Sequence, residues 1–273
     1  MRRLAGLLLG LALAIGWAGW LGAIRDPAVV RYQVELVGLQ RPLRIVHLSD
    51  LHGSNWDMPQ VRLNRIMDQA NALRPDLVVI TGDFHASKIW DPPMRLEDAL
   101  RPVTRLRAPL GVWSVPGNHD DPYWTRWVMR RFGLKLLAGD LVDVGPVRIA
   151  GSDDLVVGQR PIQGLRAAAA RARPDKPLIA LVHEPRLWAV LPANVGLLLA
   201  GHTHGGQIRV AGWPRLYPYY EQYRRGQFRN AAGQQMVVSP GIGTSIIPLR
   251  LGVAPEIVVV ELQPPGRKSG TDR

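Results

Sequence analysis

Between Leu43 and Leu199 the chain alternates short apolar runs with stretches whose apolar residues recur at helical spacing. The runs Leu43 to Leu48, Leu77 to Thr81, Gly111 to Val115, Val147 to Ala150, Leu178 to Val182 and Val195 to Leu199 predict strands. Val61 to Leu73 predicts a helix that Pro75 ends, and Leu96, Leu100, Val103 and Leu106 mark another. The alanine-rich stretch Gly164 to Ala172 predicts a third. After this the rhythm changes, because Gln207 to Val210, Gln235 to Val238 and Ile257 to Leu262 predict strands with no helices between them. Alternation followed by hairpin-like strands predicts an α/β fold, a layered α/β/β/α sandwich with two mixed sheets flanked by helices. Residues 26–42 read as a linker and opening strand, residues 43–262 as the domain, and residues 263–273 as a flexible tail.

The first 25 residues follow a different pattern. After Arg2-Arg3, Leu4 to Ile24 carries no charge and consists of Leu, Ala, Gly, Ile and Trp. At ~1.5 Å per residue such a helix spans roughly 30 Å, the thickness of a bilayer core. Trp17 and Trp20, near its end, suit an interfacial belt. An uncleaved, single-pass membrane anchor is the expectation. A cleaved signal peptide is the alternative, with Gly16-x-Ala18 as its cleavage site. Two charge rules compete over orientation: Arg2 and Arg3 precede the span, whereas Arg25, Arg31, Arg41 and Arg44 follow it. Large domains translocate despite such charges, so the expected location is a bacterial inner membrane with the domain on the periplasmic side.

Composition narrows the chemistry. The 273 residues contain no cysteine, which removes disulfides, thiolate metal sites and cysteine nucleophiles. A net charge of +12 favours anionic partners: phosphate, nucleic acid or an acidic membrane surface. Five predicted strands end at ligand-type residues: Asp50-Leu51-His52, Gly82-Asp83, Gly117-Asn118-His119-Asp120, His183-Glu184, and Gly201-His202-Thr203-His204. In open α/β sheets, sites gather at the carboxyl ends of strands. Five coincidences of this kind point to a polynuclear metal site. Imidazoles, carboxylates and an amide oxygen without sulfur suit two divalent ions of Mn, Fe or Zn. Two ions ~3.5–4 Å apart clamp both oxygens of an in-line phosphoryl displacement and activate a water.

The ordered set D-x-H, G-D, G-N-H-D, a later H and G-H-x-H resembles the calcineurin-like metallophosphoesterase superfamily. The H-E-P, G-H-T-H-G-G-Q and S-P-G-I-G-T-S stretches are similar to its membrane-anchored bacterial branch. That branch includes phosphodiesterases and UDP-2,3-diacylglucosamine pyrophosphatase-like hydrolases. The resemblance implies that Asp50, His52 and His204 bind one metal, that Asn118, His183 and His202 bind the second, and that Asp83 bridges them. It implies that His119 lies near the leaving-group oxygen, with Asp120 orienting its imidazole. The activity implied is hydrolysis of a phosphodiester or pyrophosphate bond, on a membrane-associated or lipid-linked phosphate ester.

Other residues carry weaker expectations. His85 follows Asp83 closely enough to line the pocket, whereas His47 reads as a core histidine. Trp213 to Phe228 interleaves aromatics with arginines, which reads either as a headgroup-binding surface with Arg224 and Arg225 at substrate phosphate or as an ordinary packed hairpin with a basic exterior. Asp153-Asp154 reads as a supporting carboxylate pair or a solvated turn. Ser152 and Ser239 have no triad pattern around them. A nuclease or cyclic-nucleotide phosphodiesterase is the alternative enzyme. A membrane-tethered module binding nucleic acid or anionic lipid is the alternative of another class. The sequence implies no protein partner.

Overall fold

Strict alternation of apolar side chains fills two interfaces at once. The computed structural model describes residues 1–86, 88, 89, 91, 94–152, 161–209 and 218–266. One sheet contains β1 (Ala28–Glu35), β2 (Leu43–Leu48), β3 (Leu77–Thr81), β4 (Val112–Val115) and β5 (Lys135–Leu136). The other contains β6 (Leu141–Asp143), β7 (Arg148–Gly151), β8 (Leu178–Leu181), β9 (Val195–Ala200), β10 (Gly226–Arg229) and β11 (Gln235–Val238). The last strand, β12 (Glu256–Gln263), returns to the first sheet. The strand orders are β1-β12-β2-β3-β4-β5 and β10-β11-β9-β8-β7-β6. Both sheets are mixed: β2 to β5 are parallel and β12 runs antiparallel to β2, while β7, β8, β9 and β11 are parallel between antiparallel edges.

Odd and even positions go to different layers. Leu43, Ile45, Leu77, Val79, Val258 and Val260 face Ile179, Leu181, Leu197, Leu199 and Val237 across the seam between the sheets. Val46, Leu48, Val78 and Ile80 point the other way, onto Leu63, Ile66, Met67 and Ala70 of α2 (Gln60–Ala72). On the far side, Ala180, Leu198, Ala200 and Met236 pack on Leu165, Ala168 and Ala169 of α5 (Pro161–Arg171). The result is the expected α/β/β/α sandwich.

Residues 28–35 form the expected opening strand, paired along its length with β12. Other elements differ from expectation. The helix expected over Leu96 to Leu106 divides into α3 (Leu96–Leu100) and a 3-10 turn, Arg101–Arg105. Pro102 lacks the N–H that a continuous helix needs there. The strand expected from Gln207 does not form, because His204, Gly205, Gly206 and Gln207 all have positive φ and coil the chain. Ile208 makes only an isolated bridge to Leu251, and Val210 lies outside the described residues. The pattern also concealed α4 (Pro122–Arg131), since only Thr125, Val128 and Met129 of it are buried. Its start signal was nevertheless present: the Asp121 side chain accepts from the N–H groups of Tyr123 and Trp124, and Pro122 opens the helix.

At the amino end, α1 (Arg2–Ile24) is 23 residues long with a mean hydropathy of 2.0, enough to cross a membrane by length and composition. Most of it is exposed. Its last turns meet the domain, however, where Gly19 and Ala23 are buried and the Arg250 N–H donates to the Gly19 carbonyl at 2.8 Å. A Cβ on Gly22 would lie 2.1 Å from the Arg250 carbonyl oxygen, so only glycine allows this approach.

The seam between the sheets is the main store of stability. Leu197→Ala, at a fully buried position there, is expected to cost about 2–5 kcal/mol. The measurement is a lowered urea midpoint at unchanged slope, and a shift within error would contradict this account of the core.

Candidate metal centre

Five loops leave the carboxyl ends of β2, β3, β4, β8 and β9 and converge at one pole of the sandwich. The backbone there is strained. Asp50, His52, Asp83, His202 and His204 all have positive φ, and they are five of the eight such non-glycine residues among the described ones. Left-handed backbone costs an ordinary residue roughly 1–2 kcal/mol, so these residues are held by their surroundings. Two glycines make the convergence possible. A Cβ on Gly117 would lie 2.2 Å from Asp83 Oδ1, and one on Gly201 would lie 1.8 Å from Ser49 Oγ.

The ligand-type atoms fall into two groups. Asp50, His52, Asp83 and His204 bring one ligand atom each within 4.8 Å of one another. Within this group His52 Nε2 is 3.1 Å from His204 Nε2 and 3.2 Å from Asp83 Oδ2, and His204 Nε2 is 3.4 Å from Asp50 Oδ1. In the second group, Asn118 Oδ1 is 2.8 Å from His202 Nδ1 and 3.1 Å from His183 Nε2. The two imidazole nitrogens are 3.0 Å apart. Asp83 Oδ2 also lies 3.4 Å from His183 Nε2, so one carboxylate oxygen adjoins both groups. Ligand bonds of ~2.1 Å give polyhedron edges of about 3.0–3.4 Å. Both groups match those edges.

Outer contacts select which imidazole nitrogen faces inward. His183 Nδ1 lies 2.6 Å from the Thr81 carbonyl, which can only accept, so Nε2 keeps its lone pair for the site. His202 is reversed: Nε2 lies 3.3 Å from the buried Glu184 carboxylate and Nδ1 faces inward. Burial pushes the His202 and His204 imidazoles below their ordinary value, aided by repulsion from His183 and His52 respectively. Neutral imidazoles are the form that binds a metal.

His119 stands beside the two groups. Its ring meets His52 edge-on with centroids 5.0 Å apart, its Nε2 lies 3.4 Å from Ser245 Oγ, and its N–H donates to Asp83 Oδ1 at 2.9 Å. Asp120 takes a different part from the one expected. Its carboxylate accepts from the N–H groups of Asp83, Gly117 and Phe84 at 2.8, 2.8 and 3.0 Å, so it fixes two ligand loops rather than the imidazole. Burial and the nearby Asp83 charge push its carboxyl up to about 7. His85 lies 2.6 Å by Nε2 from the Met94 carbonyl and shares a hollow of about 210 Å³ with His119, Met94, Leu96 and Trp124.

Arg224 and Arg225 do not present free guanidinium groups to the site. Arg224 Nε pairs with Glu221 at 2.7 Å, and Arg225 Nη1 pairs with Glu256 at 3.0 Å. The Asp153-Asp154 pair and residues 210–217 of the aromatic segment lie outside the described residues. Ser239 Oγ accepts from the Gly241 N–H, a turn contact. His47 is a core histidine, as expected, with Nε2 2.8 Å from Thr81 Oγ1. Sequence reasoning noted Glu184 beside His183 without giving it a role, and missed Ser245 and the fully buried Arg250, whose Nη2 lies 3.4 Å from His204 Nδ1. The H-E-P triplet was a usable signal for Glu184; Arg250 had none.

A two-sheet α/β sandwich whose strand ends gather seven side chains with oxygen and nitrogen donor atoms has the layout of a metal-dependent hydrolase. The calcineurin-like phosphoesterase family matches residues 43–206, and the chain belongs to that family. It is 30% identical to an "uncharacterized metallophosphoesterase" of Aquifex aeolicus, over 87% of this chain and 92% of that one. It is 32% identical to the metallophosphoesterase YkuE of Bacillus subtilis, covering 81% and 79%. A bovine relative is a "transmembrane protein with metallophosphoesterase domain", 31% identical over 90% of this chain and 59% of its own length. The protein is accordingly a phosphoric ester hydrolase.

Titration of the core histidine gives a test of the fold around the site. Burial pushes the His47 imidazole down to about 3 from an ordinary 6.5. The unfolded chain therefore takes up a proton below pH 6.5 that the folded chain refuses. The stability this represents is complete above pH 6.5 and is lost as pH falls toward 3, at about 1.4 kcal/mol per pH unit. His47→Gln should flatten the pH dependence of urea unfolding across that window by one proton, and an unchanged slope would refute the assignment.

Proposed function

We propose that the protein hydrolyses a phosphodiester or pyrophosphate bond in a membrane-associated or lipid-linked substrate, as UDP-2,3-diacylglucosamine hydrolase-like enzymes do. The observation that carries the dinuclear reading is the Asp83 carboxylate oxygen, 3.2 Å from His52 Nε2 and 3.4 Å from His183 Nε2. Asp50, His52 and His204 would hold one divalent ion, and Asn118, His183 and His202 a second, with Asp83 shared. The donor set suits Mn, Fe or Zn. Two such ions supply Lewis acidity to the phosphoryl oxygens and make a water nucleophilic at neutral pH.

The chain's own residues supply the rest. His119 is half-buried against His52, with Nε2 3.4 Å from Ser245 Oγ and no carboxylate on its ring among the described residues. Burial lowers its imidazole below the ordinary value, so its protonated form is a stronger proton donor to a departing oxygen. Asp120 keeps the Asp83 and Gly117 loops at fixed separation. Glu184 and the Thr81 carbonyl hold two imidazoles in opposite tautomers. His85 and Trp124 line the hollow next to His119, where a leaving group would lie.

The membrane part of the reading rests on α1. We place the enzyme in a bacterial inner membrane with its domain on the periplasmic side. Protease added to intact spheroplasts should then digest the domain. Protection until lysis would reverse the orientation and favour a nucleotide-linked lipid, which is expected on the cytoplasmic face.

Three further experiments test the chemistry. With Mn, the full chain should cleave phosphodiesters and nucleotide-linked lipids in preference to simple phosphomonoesters. A strong monoester preference would overturn the diesterase reading and leave the metal site standing. Asp83→Ala and His204→Ala should lose bound metal and turnover together, and full activity in both would remove the site. His119→Gln should lower kcat by about 10²-fold on esters with poor leaving groups, and much less on nitrophenyl esters. Equal losses on both would remove the general-acid role.

A further inference from the structure

The mouth of the site is bordered by apolar side chains that no part of the described structure covers. Trp56, Ile89 and Ile246 are 49%, 47% and 44% exposed. On α4, Tyr123, Trp124 and Trp127 are 87%, 47% and 49% exposed, and the two indoles stack at 4.8 Å. Contacts link these segments: Lys88 next to Ile89 pairs with Asp57 next to Trp56, and the loop of Ile246 and the helix of Trp124 both adjoin His119. Ser245, next to Ile246, touches His119, and His119 shares its hollow with Trp124. Ile89 donates its N–H to the Ile246 carbonyl at 3.0 Å.

Their outward positions are built rather than incidental. Lys88 is buried with its ammonium on the Asp57 carboxylate, and it donates to Ser54 Oγ at 3.2 Å, so its neighbour Ile89 stands at the surface. Ile246 has a φ of 65°, a left-handed conformation that a β-branched side chain adopts only when the surroundings impose it. An exposed apolar patch of this kind marks a contact surface.

The loop that carries Ile246 also identifies the occupant. It runs on to Leu249, Arg250 and Leu251, which receive the end of α1: an added Cβ on Gly19 would lie 3.3 Å from Leu249 and 3.5 Å from Leu251. Gly19 lies between Trp17 and Trp20, residues of the type that settles at the headgroup level. The 249–251 segment is therefore at the bilayer interface if α1 spans a membrane, and Ile246 and Ser245 follow within the same tight loop. The α4 sequence adds Arg126, Arg130 and Arg131 among its aromatics, with the Arg131 guanidinium 5.6 Å from the Trp127 ring. Such a face fits an anionic headgroup layer.

We propose that the pole carrying the mouth of the site is a membrane-contact surface, seated on an anionic bilayer through Trp56, Ile89, Ile246 and the aromatic face of α4. The phosphate ester then enters from the headgroup layer without crossing bulk water. This inference rests on the reading of α1 as a membrane span. It predicts a surface contact additional to that span.

The absence of cysteine makes the test direct. Single nitroxide labels at Ile89→Cys and Trp127→Cys report the proposed face in the full chain, reconstituted in phosphatidylcholine–phosphatidylglycerol nanodiscs. Val37→Cys, 81% exposed beyond the opposite end of the sheets, is the aqueous reference, and Leu9→Cys reports on α1. The labels at 89 and 127 should lose access to an aqueous nickel quencher relative to position 37 and gain access to oxygen. If they stay as accessible as position 37 while position 9 is protected, α1 spans the membrane and the surface contact is refuted alone. If position 9 is itself accessible, the anchor reading fails and this inference fails with it. Dipolar broadening between two labelled copies would assign the face to a second copy of the chain and overturn the lipid contact.

Discussion

The structure depends on holding like charges and unprotonated imidazoles together in a place with little water. Asp50, His52, Asp83, His183 and His204 are all essentially buried, and their ligand atoms approach within 3–4 Å of one another. Left without compensation, such a cluster opposes folding, because buried polar groups need partners and buried carboxylates repel. The fold answers with backbone. Asp120 takes three N–H groups, Asp50 takes the N–H of His202, and Thr81 offers its carbonyl to His183. Cations bound at this candidate site would complete the compensation.

That requirement explains the architecture. Two separate sheets, each parallel at its centre, direct five strand ends to one pole, so that ligands distant in sequence meet. Asp50 and His202 are 152 residues apart, yet the carboxylate of one accepts the backbone N–H of the other at 3.1 Å. The strained residues lie where strands stop, and the seam of Leu, Ile and Val between the sheets supplies the stability that sustains them. Gly117 and Gly201 are needed because the loops approach more closely than a Cβ allows.

A second dependence links the amino-terminal helix to the site. Arg250 is buried and donates from its side chain to the carbonyls of Gly243 and Pro240, with Nη2 near His204, while its backbone N–H holds Gly19 of α1. One residue thus touches both the helix that is apolar enough for a membrane and the loop beside a candidate ligand. The helix is part of the wall around the catalytic pole, which is a closer relation than a flexible tether would give.

The layers and the candidate ligand residues were both written into the chain locally. The continuous apolar runs of β2, β3, β8 and β9 are a local property of strands buried on both faces, and the ligand-type residues follow those strands directly, so both were legible in the sequence. What only the tertiary structure decided were the relations between distant segments. The pairing of β12 with β1, the coil that replaces a strand after His204, and the engagement of Arg224 and Arg225 by Glu221 and Glu256 leave no periodic trace. Nor does Asp120, whose carboxylate reads in sequence as a partner for the adjacent His119 but lies among three backbone donors. Apolar periodicity records which face of an element is buried, whereas a polar side chain's partner depends on which loops the packed sheets bring within reach.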